Sequence, residues 1–344
     1  MEETKALHLT KPRFENGRYE NPWDTWIWPP VSKMLRWFLL DKNNSSIPSE
    51  RILNTSLPIM EINHEELKTP PSTGVRILWI GHASTLVQFD GISVLTDPVF
   101  SDRCGLYSKF GPKRYRPSPI TVDLLPKIDA VVISHNHYDH LDQSSVRDLN
   151  GRFGDNLKWF VPKGNQSWFD NIGCKNVQAM TWWEESKLSV NGNDITFACT
   201  PGQHWSNRGL FDRCKTLWSS WVIKGPSHNF FFGGDTGYCS VFKEIGETYG
   251  PFTAAAIPIG AYLPRDCLYC QHVDPDEAVQ IHKDVKSRSS IGIHWGTFIL
   301  TNEHYLDPPL RLKQALKTQE MKEDAFITLR HGEAKIFYNE STID

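Results

Sequence analysis

The stretch Ala130-Val131-Val132-Ile133-Ser134-His135-Asn136-His137-Tyr138-Asp139-His140 decides how this chain is read. Its first part is a short, mostly β-branched apolar run, the pattern of a buried strand. Its second part packs four metal-capable side chains, His135, His137, Asp139 and His140, into six positions. Three imidazoles and a carboxylate at this spacing repel one another's protons. Crowding them costs free energy unless a cation sits among them. Nitrogen and oxygen donors of this kind suit zinc and its first-row neighbours. A strand that runs into the motif would place His135 and His137 on one side, because strand side chains alternate, with Asp139 and His140 on the loop beyond.

Four ligands on one turn do not complete a hydrolytic site, so more donors are expected from other strand ends. His204 follows the apolar run 195–199, Asp235 follows 230–232, and His294 closes 290–293. Glycine lies close to each, as a tight turn at a ligand site requires. Taken singly, each is as well read as a core histidine or a turn aspartate. Their shared place at strand ends makes them a set.

From residue 75 onward the chain reads as short strands at 75–80, 85–89, 92–96, 130–134, 159–161, 195–199, 218–223, 229–232, 254–259 and 290–294. Asp90-Gly91 marks a hairpin turn. One helix is expected over 142–150. Another starts at Asp274, with Pro275 in its first position and Glu277 bonding back. Strands with helices interspersed predict an α/β (α+β) domain of two sheets covered by helices on their outer faces.

The 344 residues fit one large domain or two average ones, with an ordinary 39% apolar content. A net charge of −3 and no long basic stretch argue against nucleic acid as a partner. Seven scattered cysteines, an odd number, point to reduced thiols; Cys267 and Cys270 read as ordinary ones. No secretory leader is visible, and no apolar stretch approaches the roughly 18 residues that span a bilayer. The expectation is an intracellular, unsecreted protein that lies on any membrane it meets.

Residues 1–70 differ from the rest in being rich in Trp, Pro and Asn. A helix over 31–40 would gather Val31, Met34, Leu35, Phe38 and Leu39 on one face, among Trp23, Trp26, Trp28 and Trp37. Such a segment either lies in a lipid interface or packs onto the domain that follows.

The order H-x-H-x-D-H, then His, Asp and His, resembles the metallo-β-lactamase superfamily. The stretches 134–142, 233–239, 257–262, 271–275 and 293–298, continued by 302–306, look like those of N-acyl-phosphatidylethanolamine-hydrolysing phospholipases D. So do Asn21-Pro22-Trp23 and Leu35-Arg36-Trp37, so the resemblance reaches nearly the whole chain. It implies a metallo-β-lactamase αββα four-layer sandwich over 71–344, behind a Trp-rich membrane-associating extension over 1–70. It also implies two Zn2+ per chain. His135, His137 and His204 match the ligands of one zinc, Asp139, His140 and His294 those of the other, and Asp235 the bridging carboxylate.

Asp97, in Leu95-Thr96-Asp97-Pro98, matches a buried carboxylate that orients a ligand imidazole; the plainer reading is a turn residue. Gln271 and His272 resemble substrate-side residues, or else pack the entry to the helix at Asp274. Tyr262 is a candidate donor to a phosphate oxygen. Lys113, Arg114 and Arg116 form a basic cluster, read as a solvated loop before a lipid-phosphate contact.

The activity implied is zinc-dependent hydrolysis of N-acyl-phosphatidylethanolamines to N-acylethanolamines and phosphatidic acid through a metal-bridging hydroxide. Asp139 and Asp235 are its catalytic carboxylates, and Asp139 is open to a second role as proton shuttle. A homodimer, peripheral on the cytosolic face of internal membranes, is implied too. A nuclease or a soluble ester or lactone hydrolase would share the metal ligands. A non-catalytic lipid-binding adaptor is the remaining alternative, but structural zinc sites are closed and four-coordinate. The stretch after His204 and the loop 263–270 depart from the family pattern, which leaves acyl-chain preference open.

Overall fold

Short runs buried on both faces build two sheets. The computed structural model describes residues 9–41, 46–106 and 110–339. A short hairpin, β1 (Arg13–Glu15) and β2 (Arg18–Glu20), precedes them. The first sheet takes β3 (Val75–Gly81), β4 (Ser84–Phe89), β5 (Ile92–Thr96), β6 (Ala130–Val132), β7 (Lys158–Pro162) and β8 (Val177–Met180). The second takes β9 (Glu185–Val190), β10 (Asn193–Thr200), β11 (Ser220–Lys224), β12 (Asn229–Phe232), β13 (Ala254–Pro258), β14 (Ser290–Ile293) and β15 (Phe326–Ile327). The chain then returns to the first sheet as β16 (Ala334–Phe337). The strand orders are β16-β3-β4-β5-β6-β7-β8 and β15-β14-β13-β12-β11-β10-β9. Strands β5 to β8 and β12 to β15 run parallel, and the other neighbours antiparallel.

Alternate residues of the first sheet go to different cores. Ile77, Trp79, Ala130 and Val132 face the second sheet, where they join Phe197, Trp221 and Phe232. Leu78, Ile80, Val131 and Ile133 face outward and pack with Val146, Leu149 and Phe169. Phe160 and Phe197 stack across the sheets at 4.1 Å. On the far side, the helices Val241–Thr248, Pro275–Asp284 and Asp307–Thr318 bury Ile245, Ile281 and Leu316 against the second sheet. The result is the expected αββα four-layer sandwich. Fully burying side chains of this size stabilises by roughly 1.5–3 kcal/mol each.

The helix at Asp274 carries the capping box read from sequence. Its side chain accepts from Glu277 N at 3.0 Å, and Glu277 accepts from Asp274 N at 3.3 Å. Two expectations change. Strand β6 stops at Val132 instead of reaching residue 134, for a reason given below. Edge strands β8, β9 and β16 were not anticipated, because half-exposed segments such as Glu185-Ser186-Lys187-Leu188-Ser189-Val190 offer no apolar run.

The helix near the start is α-helical over Val31–Arg36 and continues as a π-helix over Trp37–Asp41. Trp37 pins it by donating to Asn302 at 3.1 Å. Val31, Leu35, Leu39 and Leu40 are exposed, so the expected apolar face meets solvent. The side chain of Phe38, and residues 1–8 and 42–45 of the extension, lie outside the described set. All seven cysteines are free thiols. No helix among the described residues is long and apolar enough to cross a membrane.

Candidate metal centre

Asp97 decides the shape of the loop that carries the His-rich motif. It follows β5, donates its N–H to Val132 O at 3.0 Å, and has a positive φ of 33°. Its fully buried carboxylate accepts from Ser134 N at 2.7 Å and from Ser134 Oγ at 2.5 Å. A side chain thus takes the amide that a neighbouring strand would otherwise bond, and β6 ends early. His135 to Leu141 therefore form a turn, with His140 N and Leu141 N both donating to His137 O. Asp142 then caps the helix Gln143–Phe153 by accepting from Ser145 N at 3.1 Å. Arg208 clamps the turn from outside. Its guanidinium donates to Asn136 O and Leu141 O and lies 4.3 Å from the Tyr138 ring.

Although the motif is not on a strand, its imidazoles converge as the strand argument expected. His135 Nε2 lies 2.8 Å from His137 Nδ1, which lies 3.3 Å from His204 Nε2. Ligand atoms of His135, His137 and His204 fall within 4.8 Å of one another, and so do those of Asp139, His140 and His294. Oδ2 of Asp235 stands between the two sets. It is 3.9 Å from both His135 Nε2 and His204 Nε2, 3.1 Å from His140 Nε2 and 3.0 Å from His294 Nε2.

Three rings are aimed by hydrogen bonds on their other nitrogen. His140 Nδ1 faces Asp97 Oδ2 at 2.6 Å, His204 Nδ1 faces Gln271 O at 3.0 Å, and His135 Nδ1 faces Ser134 Oγ at 2.8 Å. This arrangement leaves Nε2 of each ring for the shared space, as in metal sites generally.

The electrostatics favour cations. Burial holds His135 and His204 well below the usual imidazole range, and it lowers His137 to about 4 and His272 to about 3. Neutral rings have lone pairs to give. Burial also opposes charge on Asp139 and Asp235, yet His140 and its neighbours hold both carboxylates well below their ordinary pKa. Burial likewise opposes charge on His140 and His294. Asp235, helped by Asp139, overcomes it, raising His140 well above the usual range and His294 to about 9. Two carboxylates in a dry site thus demand positive charge.

The donor set fits a metal by a further criterion. His137 Nε2, His140 Nε2, His294 Nε2 and Asp235 Oδ1 are buried without hydrogen-bond partners. Each would cost about 1–3 kcal/mol if left that way, and coordination removes the cost.

The other site residues fall as follows. Gln271 is buried, with its side-chain oxygen accepting from Trp205 Nε1 at 2.6 Å. His272 Nδ1 lies 3.9 Å from Asp235 Oδ2, within the donor cluster. Tyr262 is fully buried, its hydroxyl donates to Asp307, and its ring faces Arg311. That hydroxyl is engaged by the fold and faces Asp307, not the donor cluster where a phosphate contact was expected of it. Arg114 is not solvated either, since it is buried and donates to Val99 O and Ile80 O.

His82 was missed. Its Nε2 lies 2.9 Å from Asp139 Oδ2. The signal was present: Gly81-His82 follows an apolar strand, as the other donors do.

The N-terminal extension reaches this edge. Asn21 donates to His204 O at 2.7 Å, and Trp28 packs edge-on against Trp205 at 5.5 Å. Trp205 in turn lies 4.5 Å from His137.

Comparison with known proteins agrees with this geometry. Residues 93–295 match the model of a beta-lactamase superfamily domain. The chain is 41% identical to N-acyl-phosphatidylethanolamine-hydrolyzing phospholipase D 1 of Caenorhabditis elegans, over 96% of this chain and 95% of that protein. It is 36% identical to the mitochondrial enzyme of that name from Saccharomyces cerevisiae, over 72% of this chain and 53% of that one. Among solved structures, a metallo hydrolase from Ignicoccus hospitalis shares the fold with a TM-score of 0.60 at 22% identity, covering 78% of this chain and all of that one.

Proposed function

As a member of the beta-lactamase superfamily, and within it of the N-acyl-phosphatidylethanolamine-hydrolysing phospholipase D family, this chain is a metal-dependent hydrolase, and we propose that it cleaves N-acyl-phosphatidylethanolamines to N-acylethanolamines and phosphatidic acid. The observation that carries this reading is the place of Asp235 Oδ2, within 3.9 Å of imidazoles from both donor sets. His135, His137 and His204 would hold one zinc, and Asp139, His140 and His294 a second, with Asp235 between them. Such a pair lowers the pKa of water toward about 7 and neutralises charge that builds on phosphoryl oxygens.

The chain's own residues do the rest. His137, Asp139 and His272 are the half-buried members of the cluster, so substrate approaches on their side. Gln271 and His272 flank that approach. Water adds to phosphorus while the bond to the ethanolamine oxygen breaks. One proton of the water ends on that oxygen, and Asp139, the half-buried carboxylate of the cluster, would be its carrier in passing. No covalent enzyme intermediate is needed.

A lipid substrate calls for a membrane-facing surface. Ile27, Val31, Leu35, Leu39 and Leu40 are exposed on the extension, and Leu210 and Phe211 are 92% and 80% exposed on the loop after His204. These residues support peripheral docking, with the extension over 1–70 as the membrane-associating segment. We place the protein as a homodimer on the cytosolic face of internal membranes, on the family resemblance.

The test is metal analysis with turnover of N-acyl-phosphatidylethanolamine vesicles by wild type and Asp235→Asn. Near two metal ions per chain, and a fall in kcat of at least about a thousandfold in the variant, support the reading. Unchanged turnover in the variant overturns it.

A further inference from the structure

Resting on the metal reading above, we propose that His82 is a positioning residue for the metal set Asp139, His140 and His294: its imidazole fixes the Asp139 carboxylate and its backbone fixes His294.

The chain leaves β3 at His82 with a φ of 54°, a left-handed conformation that a β-carbon disfavours. Three hydrogen bonds hold it there. His82 N donates to Thr297 Oγ1 at 2.6 Å, and its carbonyl accepts from Trp79 Nε1 and from His294 N, both at 3.0 Å. His294 has a φ of 62°. Two left-handed residues, one from each sheet, are therefore tied back to back.

This tie aims the imidazole inward. Its Nε2 reaches Asp139 Oδ2 at 2.9 Å, and its ring lies 4.1 Å from that of His294 and 5.1 Å from that of His140. Phe298 closes the other side edge-on at 5.3 Å. Asp139 Oδ2 also stands 3.5 Å from His140 Nε2 and 3.6 Å from His294 Nε2. A carboxylate on a turn has two free torsions, and a bond to one oxygen settles both. His82 stands in the same donor group as Asp139, His140 and His294, and its 2.9 Å contact with Asp139 Oδ2 is what assigns it to the carboxylate and not to the ion. Outer hydrogen bonds of this kind are worth roughly ten- to a hundredfold in metal affinity.

Calorimetric titration of zinc into the chelator-treated full chain tests this. Wild type is expected to take up two ions. His82→Ala should bind one as wild type does and the other about ten- to a hundredfold more weakly. His82→Gln, which keeps an N–H donor, should recover much of the loss. Should His82→Ala fail to fold, Thr297→Val removes the bond to His82 N and must weaken the same ion. With substrate, kcat should fall while KM stays level. Equal weakening of both ions, or wild-type affinity for both, overturns the proposal. Wild type that binds no ion instead sinks the metal reading itself.

Discussion

Asp97 and His140 form a buried pair, with Oδ2 of one 2.6 Å from Nδ1 of the other and neither side chain touched by solvent. The same carboxylate holds Ser134, whose hydroxyl faces His135. One side chain therefore aims a histidine in each proposed metal set. Asp97→Asn must present an amide N–H to at least one of the donors that its carboxylate now accepts from. We expect a loss of about ten- to a hundredfold in affinity for both ions. Stability should fall by about 1–3 kcal/mol from the buried mismatch. Zinc titration and urea unfolding of the same preparation check the two effects, and a stable variant with wild-type zinc binding would remove Asp97 from this role.

The folded state offers a donor cluster that an unfolded chain does not, so ions stabilise by mass action. At free zinc a thousand times the dissociation constant, each site adds about 4 kcal/mol. Chelation should therefore lower the unfolding midpoint while the sandwich stays folded, since its inter-sheet core contains no metal ligand. Differential scanning calorimetry with and without zinc reads this directly. His135→Ala should shrink the difference. Unfolding on chelation alone would mean that the ions hold the sheets together.

Acid sensitivity should trace in part to His331, which burial, helped by the nearby Arg114 and Arg116, lowers to about 3. It stacks on Trp79 at 4.4 Å, far from water. Unfolded, it titrates near 6.5. Between those values the unfolded chain takes up a proton that the folded chain refuses. Its contribution is complete above about pH 6.5 and is lost as pH falls toward 3, at about 1.4 kcal/mol per unit. His331→Phe should flatten the slope of stability against pH by about one proton between pH 6 and 4. An unchanged slope would place the buried titration elsewhere.

Membrane docking can be separated from chemistry. Leu210→Ser with Phe211→Ser, or Leu35→Ser with Leu39→Ser, changes exposed side chains only. Vesicle co-sedimentation should fall by about tenfold or more for each pair, since each buried side chain is worth roughly 1.5–3 kcal/mol. Turnover of a short-chain, water-soluble analogue should hold. Loss of both together would mean that these residues shape the site itself.

The convergence of the seven proposed metal donors was legible because they follow apolar runs, and an apolar run is the signal a sequence carries best. Strand β6 was read two residues too long. The cause, Asp97, lies just after another strand and acts through its side chain, so no local pattern around residue 134 reports it. His82 escaped because it is a single imidazole. Its partner Asp139 lies 57 positions away, and its left-handed turn is set by Thr297, 215 positions away. Tyr262 and Arg114 were misplaced for a related cause. A hydroxyl or guanidinium shows what it can bond, while its partner depends on packing, here Asp307 for one and the carbonyls of Val99 and Ile80 for the other.

The proposed donors are drawn from loops after β6, β10, β12 and β14, so they belong to both sheets and are spread from residue 135 to residue 294. A nascent polypeptide that has emerged only through His140 offers a few weak contacts to passing ions. His294, which the second proposed metal set needs, comes into place only once β14 has been synthesised and has docked beside β13. On that reading loading is a checkpoint on assembly: a tightly held pair of ions would certify that both halves of the molecule have met in register, and prematurely terminated products would stay without metal and without activity.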